Sequence, residues 1–100
     1  MSTTIKGKSI AALTALDVTN DVKIRIITAS GKIGLKPNDI VREDELVNNL
    51  DYAQDNYDML QILLDKYVKS IKAGSSISGA EITNCDTVGS CIDLVKNKIA

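Results

Sequence analysis

Between Glu45 and Ile71 the apolar residues return at alternating steps of four and three: Leu46, Leu50, Ala53, Tyr57, Leu60, Leu64, Tyr67 and Ile71. Neither Gly nor Pro interrupts residues 43–72. This spacing predicts one continuous helix, a rod of about 45 Å, with a heptad seam along it. Glu43, Asp44 and Glu45 at the front and Lys66, Lys69 and Lys72 at the back complement the helix dipole, and Gly74 is placed to cap the end. A stripe following the 3.6 period would drift by about 80° over four heptads, and no drift is visible. With Leu50, Tyr57, Leu64 and Ile71 at position a and Leu46, Ala53, Leu60 and Tyr67 at position d, the β-branched-a, Leu-d rule of parallel dimers is absent. Val47, Leu63 and Val68 widen the stripe. The expectation is self-association through these eight positions, a homotrimer before a homodimer.

Upstream the period shortens to two. Val22, Ile24 and Ile26 alternate with Lys23 and Arg25, Ser30-Gly31 supplies a turn, and Ile33 and Leu35 alternate again. Val22 to Lys36 therefore reads as a β-hairpin, ended by Pro37 and preceded by a helical turn through Leu13 and Leu16. Downstream, residues 74–84 read as irregular, with a short strand through Ile82. A short terminal helix follows, opened by Ser90 with Asp93 as a capping box, its apolar side formed by Cys91, Leu94, Val95 and Ile99. The predicted class is α+β: an N-terminal β-hairpin module (1–42), a long central coiled-coil helix (43–73) and a C-terminal segment with a short helix (74–100).

Composition changes this picture in three ways. The chain of 100 residues has no Phe and no Trp, so its core must come from aliphatics and three tyrosines, a small payload that oligomerisation would supplement. A net charge of −1 without a basic stripe argues against a nucleic-acid partner. The apolar runs are far shorter than the roughly 20 residues that span a bilayer, and the opening residues lack a signal-type apolar core, so no membrane partner is expected.

Candidate chemistry is sparse. Without histidine there is no ordinary general base near neutral pH and no Ser-His-Asp triad. The Gly31-Lys32-Ile33-Gly34 run lacks the spacing of a phosphate loop. Carboxylates on a helix surface have no pocket to raise their pKa. The reading is no enzyme, no catalytic residue and no cofactor. Cys85 and Cys91 read first as two small hydrophobes; a disulfide between them requires the segment to turn back on itself and is disfavoured by reducing conditions. Two thiols supply only half a tetrahedral zinc site, so no metal is expected. Asp51, Asp55, Asp58 and Asp65 fall on the outer face of the helix, either as a site for a cation or a basic partner or as a solvated surface.

Ser9 to Ile40 resembles a short module near the start of bacteriophage tail-fibre and head-fibre proteins. Leu13 and Leu16, Asn20-Asp21, Val22 to Thr28, Ser30-Gly31, Lys32 to Lys36 and Asp39-Ile40 occupy its successive places. Members of that family usually begin the first strand with an acidic residue, whereas Lys23 and Arg25 stand in this one. The resemblance implies a virion structural protein, a self-associating fibre or fibre-attachment component of the head or tail, made in the host cytoplasm and joined to capsid, tail or fibre subunits. It makes Leu13, Leu16, Val22, Ile24, Ile26, Ile33 and Leu35 a candidate docking module. The alternative is a cytosolic oligomeric adaptor or regulatory protein acting through protein–protein binding.

Overall fold

In the computed structural model, which describes residues 18–100, Val18, Val22, Ile26 and Ala29 follow steps of four, four and three. All four are buried, and residues 18–30 form helix α1. Gly31, at φ 74°, takes the left-handed conformation that ends it, its amide donating to the Thr28 carbonyl at 3.2 Å. The expected β-hairpin is therefore not formed, and the described residues contain no strand. Val22, Ile24 and Ile26 lie on α1, and Ile33 and Leu35 lie in the loop after it. β-Branched residues favour strands locally, but a helical stripe that can be buried against neighbouring helices overrides that preference. Leu13 and Leu16 lie outside the described residues.

The expected rod is also broken. Helix α2 covers Leu46–Leu50 and helix α3 covers Gln54–Ile71. Between them Asp51 adopts φ 59°, and the amides of Asp51 and Tyr52 turn back to the carbonyls of Val47 and Leu46 at 3.1 and 2.9 Å. The Ala53 amide then donates to Asn56 Oδ1 at 2.7 Å, which starts α3 afresh. Asn56 in turn donates to the Ala29 carbonyl at 2.8 Å and so ties α3 to α1. A single 3₁₀ turn, Pro37–Asp39, precedes α2, with Asp39 accepting from the Lys36 amide at 2.9 Å.

Two more helices complete the described fold. Helix α4, Gly79–Thr83, contains the buried Ile82, in place of the expected strand. Ser78 caps it by accepting from the Glu81 amide, while Glu81 accepts from the Ser78 amide at 3.0 Å. Helix α5, Val88–Ile99, opens on Thr87 rather than Ser90: the Thr87 hydroxyl accepts from the Ser90 amide at 3.1 Å. Asp93 is thereby released from capping and pairs with Arg42 at 2.8 Å.

Helix α3 packs against both α4 and α5. The core draws on all three segments of the sequence: Val22 and Ile26, then Leu46, Leu60, Leu64 and Val68, then Ile77, Ile82, Val88, Ile92 and Val95. Residues 42–46 and 86–89 are stitched together by backbone bonds from Leu46 to Asp86, Val88 to Asp44 and Gly89 to Arg42, at 3.0, 2.9 and 3.0 Å. Glu45 and Thr87 form one isolated antiparallel bridge there. Gly89 fits because a Cβ at that position would meet the Arg42 side chain at 3.1–3.2 Å.

Candidate functional site

The eight heptad positions do not share one environment. Leu46, Leu50, Leu60, Leu64 and Tyr67 are buried within the single chain, Tyr57 is half-buried, and Ala53 and Ile71 are exposed. The five buried positions thus lie on the inner face of α2 and α3, covered by the protein's own α1, α4 and α5. Of the expected docking residues, Val22 and Ile26 are buried, Leu35 packs on the core, and Ile24 and Ile33 are exposed. The buried and exposed members point to different surroundings, so they do not make one surface.

What α3 presents outward is a second, shorter stripe. Asp55, Met59, Ile62 and Lys66 follow steps of four, three and four, which places them on one side of the helix with Asp58 beside them. Met59 and Ile62 keep 46% and 48% of their surface exposed. Asp58 accepts from Gln54 Nε2 at 2.9 Å, which holds its carboxylate over the first turn. On α2, Val47 is also exposed, and Asp51 at the break pairs with Lys32 at 2.7 Å. Asp65 is not part of this outer surface. It accepts from Lys69 at 2.8 Å and from the Ile77 amide at 2.9 Å, and these bonds hold its carboxyl below the usual carboxylate range.

A different chemistry lies under the first turn of α3. Tyr52 and Tyr57 meet edge to face with ring centroids 5.2 Å apart, and the Tyr52 hydroxyl donates to the Ile26 carbonyl at 2.6 Å. Cys85, just after α4, and Cys91, in the first turns of α5, are both free and buried, and the Cys85 thiol donates to the Glu81 carbonyl at 3.4 Å. Burial pushes the Tyr52 and Tyr57 hydroxyls up, and the neighbouring Cys91 adds to both shifts. Its interaction with Cys85 and its burial push the Cys91 thiol up. Among the described residues no group of three or more potential metal ligands comes together, and no helix is long and apolar enough to cross a membrane.

No protein-family model matches the chain, and no curated protein or solved structure aligns with it. The features missed in the sequence carry signals of their own. Ser78 and Glu81 show the S-x-x-E spacing of a capping box. Val18, Val22 and Ile26 form a four-residue stripe that competes with the two-residue alternation.

Proposed function

We propose that the protein is a non-catalytic binding module that receives a basic, apolar-faced segment of a partner protein along the outer side of α3. The observation that carries this reading is the pair of half-exposed side chains Met59 and Ile62, placed directly after the carboxylates of Asp55 and Asp58. An unbranched Met thioether adapts to irregular apolar partners, and exposed carboxylates at a helix start favour a cationic group on the facing segment. The outer-face aspartates therefore act with apolar neighbours rather than alone. This is the adaptor class of function, with the partner identified by its chemistry.

The fibre reading draws on a hairpin and an external seam. The described residues replace the hairpin with α1, and five seam positions are used inside the chain. That reading then rests on the Ser9–Ile40 resemblance alone, and the binding face needs neither feature.

The test uses isotope-labelled protein and a synthetic amphipathic peptide with Lys and Leu on opposite sides. Saturable amide shifts confined to residues 54–66, weakened by added salt and abolished by Met59→Glu with Ile62→Glu, are expected. Shifts spread over the whole chain, or unchanged in the double variant, would overturn the proposal. Both substitutions fall on exposed positions, so the fold is retained.

A further inference from the structure

We propose that the outer face of α3 pairs with the same face of a second copy of this chain, antiparallel and about a two-fold axis. The inference rests on the binding face proposed above and names its occupant. Asp55, Met59, Ile62 and Lys66 are all exposed and lie along one side of the helix, Met59 and Ile62 with 46% and 48% of their surface open. Their steps of four, three and four read the same from either end. The stripe is therefore centred midway between Met59 and Ile62, with a carboxylate at one limit and an ammonium group at the other. Those two charges stand about three turns, or about 16 Å, apart along the helix and cannot reach each other. Neither is in an ion pair among the described residues. The charges around them are already engaged: Asp65 with Lys69, Asp51 with Lys32, and Asp58 with the Gln54 side-chain amide.

A half-turn about an axis through that centre sets Asp55 of one copy beside Lys66 of the other and Met59 beside Ile62, and each pair occurs twice. One surface then complements itself, the isologous arrangement of a two-fold dimer. The apolar pairs meet in the middle and the ion pairs close the two ends, an apolar centre within a charged rim. Parallel pairing would put Asp55 against Asp55 and Lys66 against Lys66; like charges and parallel helix dipoles both oppose it. Leu60 and Leu64 stay in the core of each copy, so this contact is not the heptad seam. Four side chains per copy are far fewer than the roughly 20–30 residues a side of a standard interface, so the dimer is weak and concentration sets its population.

The test is sedimentation equilibrium of the full chain in low salt, from about 10 μM to about 1 mM, the span in which so small a contact associates. The mean mass should rise from 10.8 kDa towards twice that value, and Met59→Glu with Ile62→Glu should hold it at the monomer. Asp55→Lys and Lys66→Asp should each weaken association at least about ten-fold, because each sets like charges across the axis. An equimolar mixture of these two variants should recover it, since every Lys then meets an Asp, and the double variant should recover it as well. A monomer at every concentration, a mass beyond the dimer, or a mixture that associates no better than its components would each overturn the proposal. Peptide titration of Lys66→Asp separates this proposal from the reading on which it rests, because the variant loses the two-fold match but gains a carboxylate for the cationic peptide. Peptide shifts in a chain that never dimerises leave the binding face standing and overturn the second copy as its occupant. Charge-swap recovery without peptide shifts supports the second copy and overturns the separate partner. All substituted positions are exposed, and the unsubstituted protein decides the main point even if a variant fails to fold.

Discussion

The Tyr52 hydroxyl donates to the carbonyl of Ile26, 26 positions earlier, at 2.6 Å, so the residue just after the break between α2 and α3 holds the middle of α1. Asn56 to Ala29 and Tyr67 to Asp21 continue the same line of contact, and the Arg25 guanidinium lies 4.4 Å from the centre of the Tyr67 ring. Removing only the Tyr52 oxygen, by Tyr52→Phe, should lower stability by about 1 kcal/mol in urea denaturation, the usual net value of one intramolecular hydrogen bond. An unchanged midpoint would mean that the bond contributes nothing.

The inner stripe makes unequal demands on its eight members. Leu60→Ala and Leu64→Ala each empty a site that is fully buried, and should cost about 2–5 kcal/mol. Ile71→Ala, at a position 43% exposed, should cost no more than about 1 kcal/mol. Denaturation of the three variants at matched protein concentration separates an internal core, which predicts this contrast, from an external seam, which predicts comparable losses.

Asp51 is the one non-glycine residue among those described with a positive φ. Asp51→Asn keeps a side chain that tolerates this conformation and gives up only the exposed pair with Lys32, so a change of about 0.5 kcal/mol or less is expected. Asp51→Val places a β-branched residue there and should cost about 1–2 kcal/mol. Thermal melts of both variants give the comparison.

Acid should destabilise the fold through three carboxyls whose pKa values lie below their ordinary range. Asp93 is held down by Arg42, Asp65 by Lys69 and the Ile77 amide, and Glu81 by Lys98 and the Ser78 amide. In each case the folded chain binds the proton less readily than the unfolded chain. Their contribution is therefore complete above about pH 5 and is lost progressively as pH falls through the unfolded and then the depressed folded values. Asp93 and Glu81 lie at the surface, so their part of the effect should shrink in high salt. Melting temperature measured between neutral and acid pH, at low and high salt, checks both statements.

How far the fold is legible in the sequence depends on which residues carry a second signal. Leu46, Leu60 and Leu64 stand out as one stripe because helix and heptad periods agree over short spans, and the same closeness hides whether the stripe faces inward or outward. Val22, Ile24 and Ile26 satisfy a two-residue alternation, but Val18 and Ala29 extend the helical alternative and the rest of the core completes it. The break at Asp51 is not visible in the apolar pattern, which runs through it without a miss; the left-handed turn is closed by the Asp51 and Tyr52 amides on the Val47 and Leu46 carbonyls. The terminal helix is legible from Cys91, Leu94, Val95 and Ile99, although its cap lies three residues further upstream at Thr87. Of the functional surfaces, the acidic outer face can be read from the aspartates, while the exposure of Met59 and Ile62 requires knowing which side the core occupies.

The stitching of residues 42–46 to residues 86–89 also sets an order of events. These partners are separated by about half the chain, so their loop must close before any of the three backbone bonds is gained. During synthesis, α1 to α3 leave the ribosome before the strip that fixes them exists. Until Val88 and Gly89 emerge, the apolar sides of Leu46, Leu60 and Leu64 stand only partly covered, and the arrival of α5 decides when the nascent protein ceases to be adhesive.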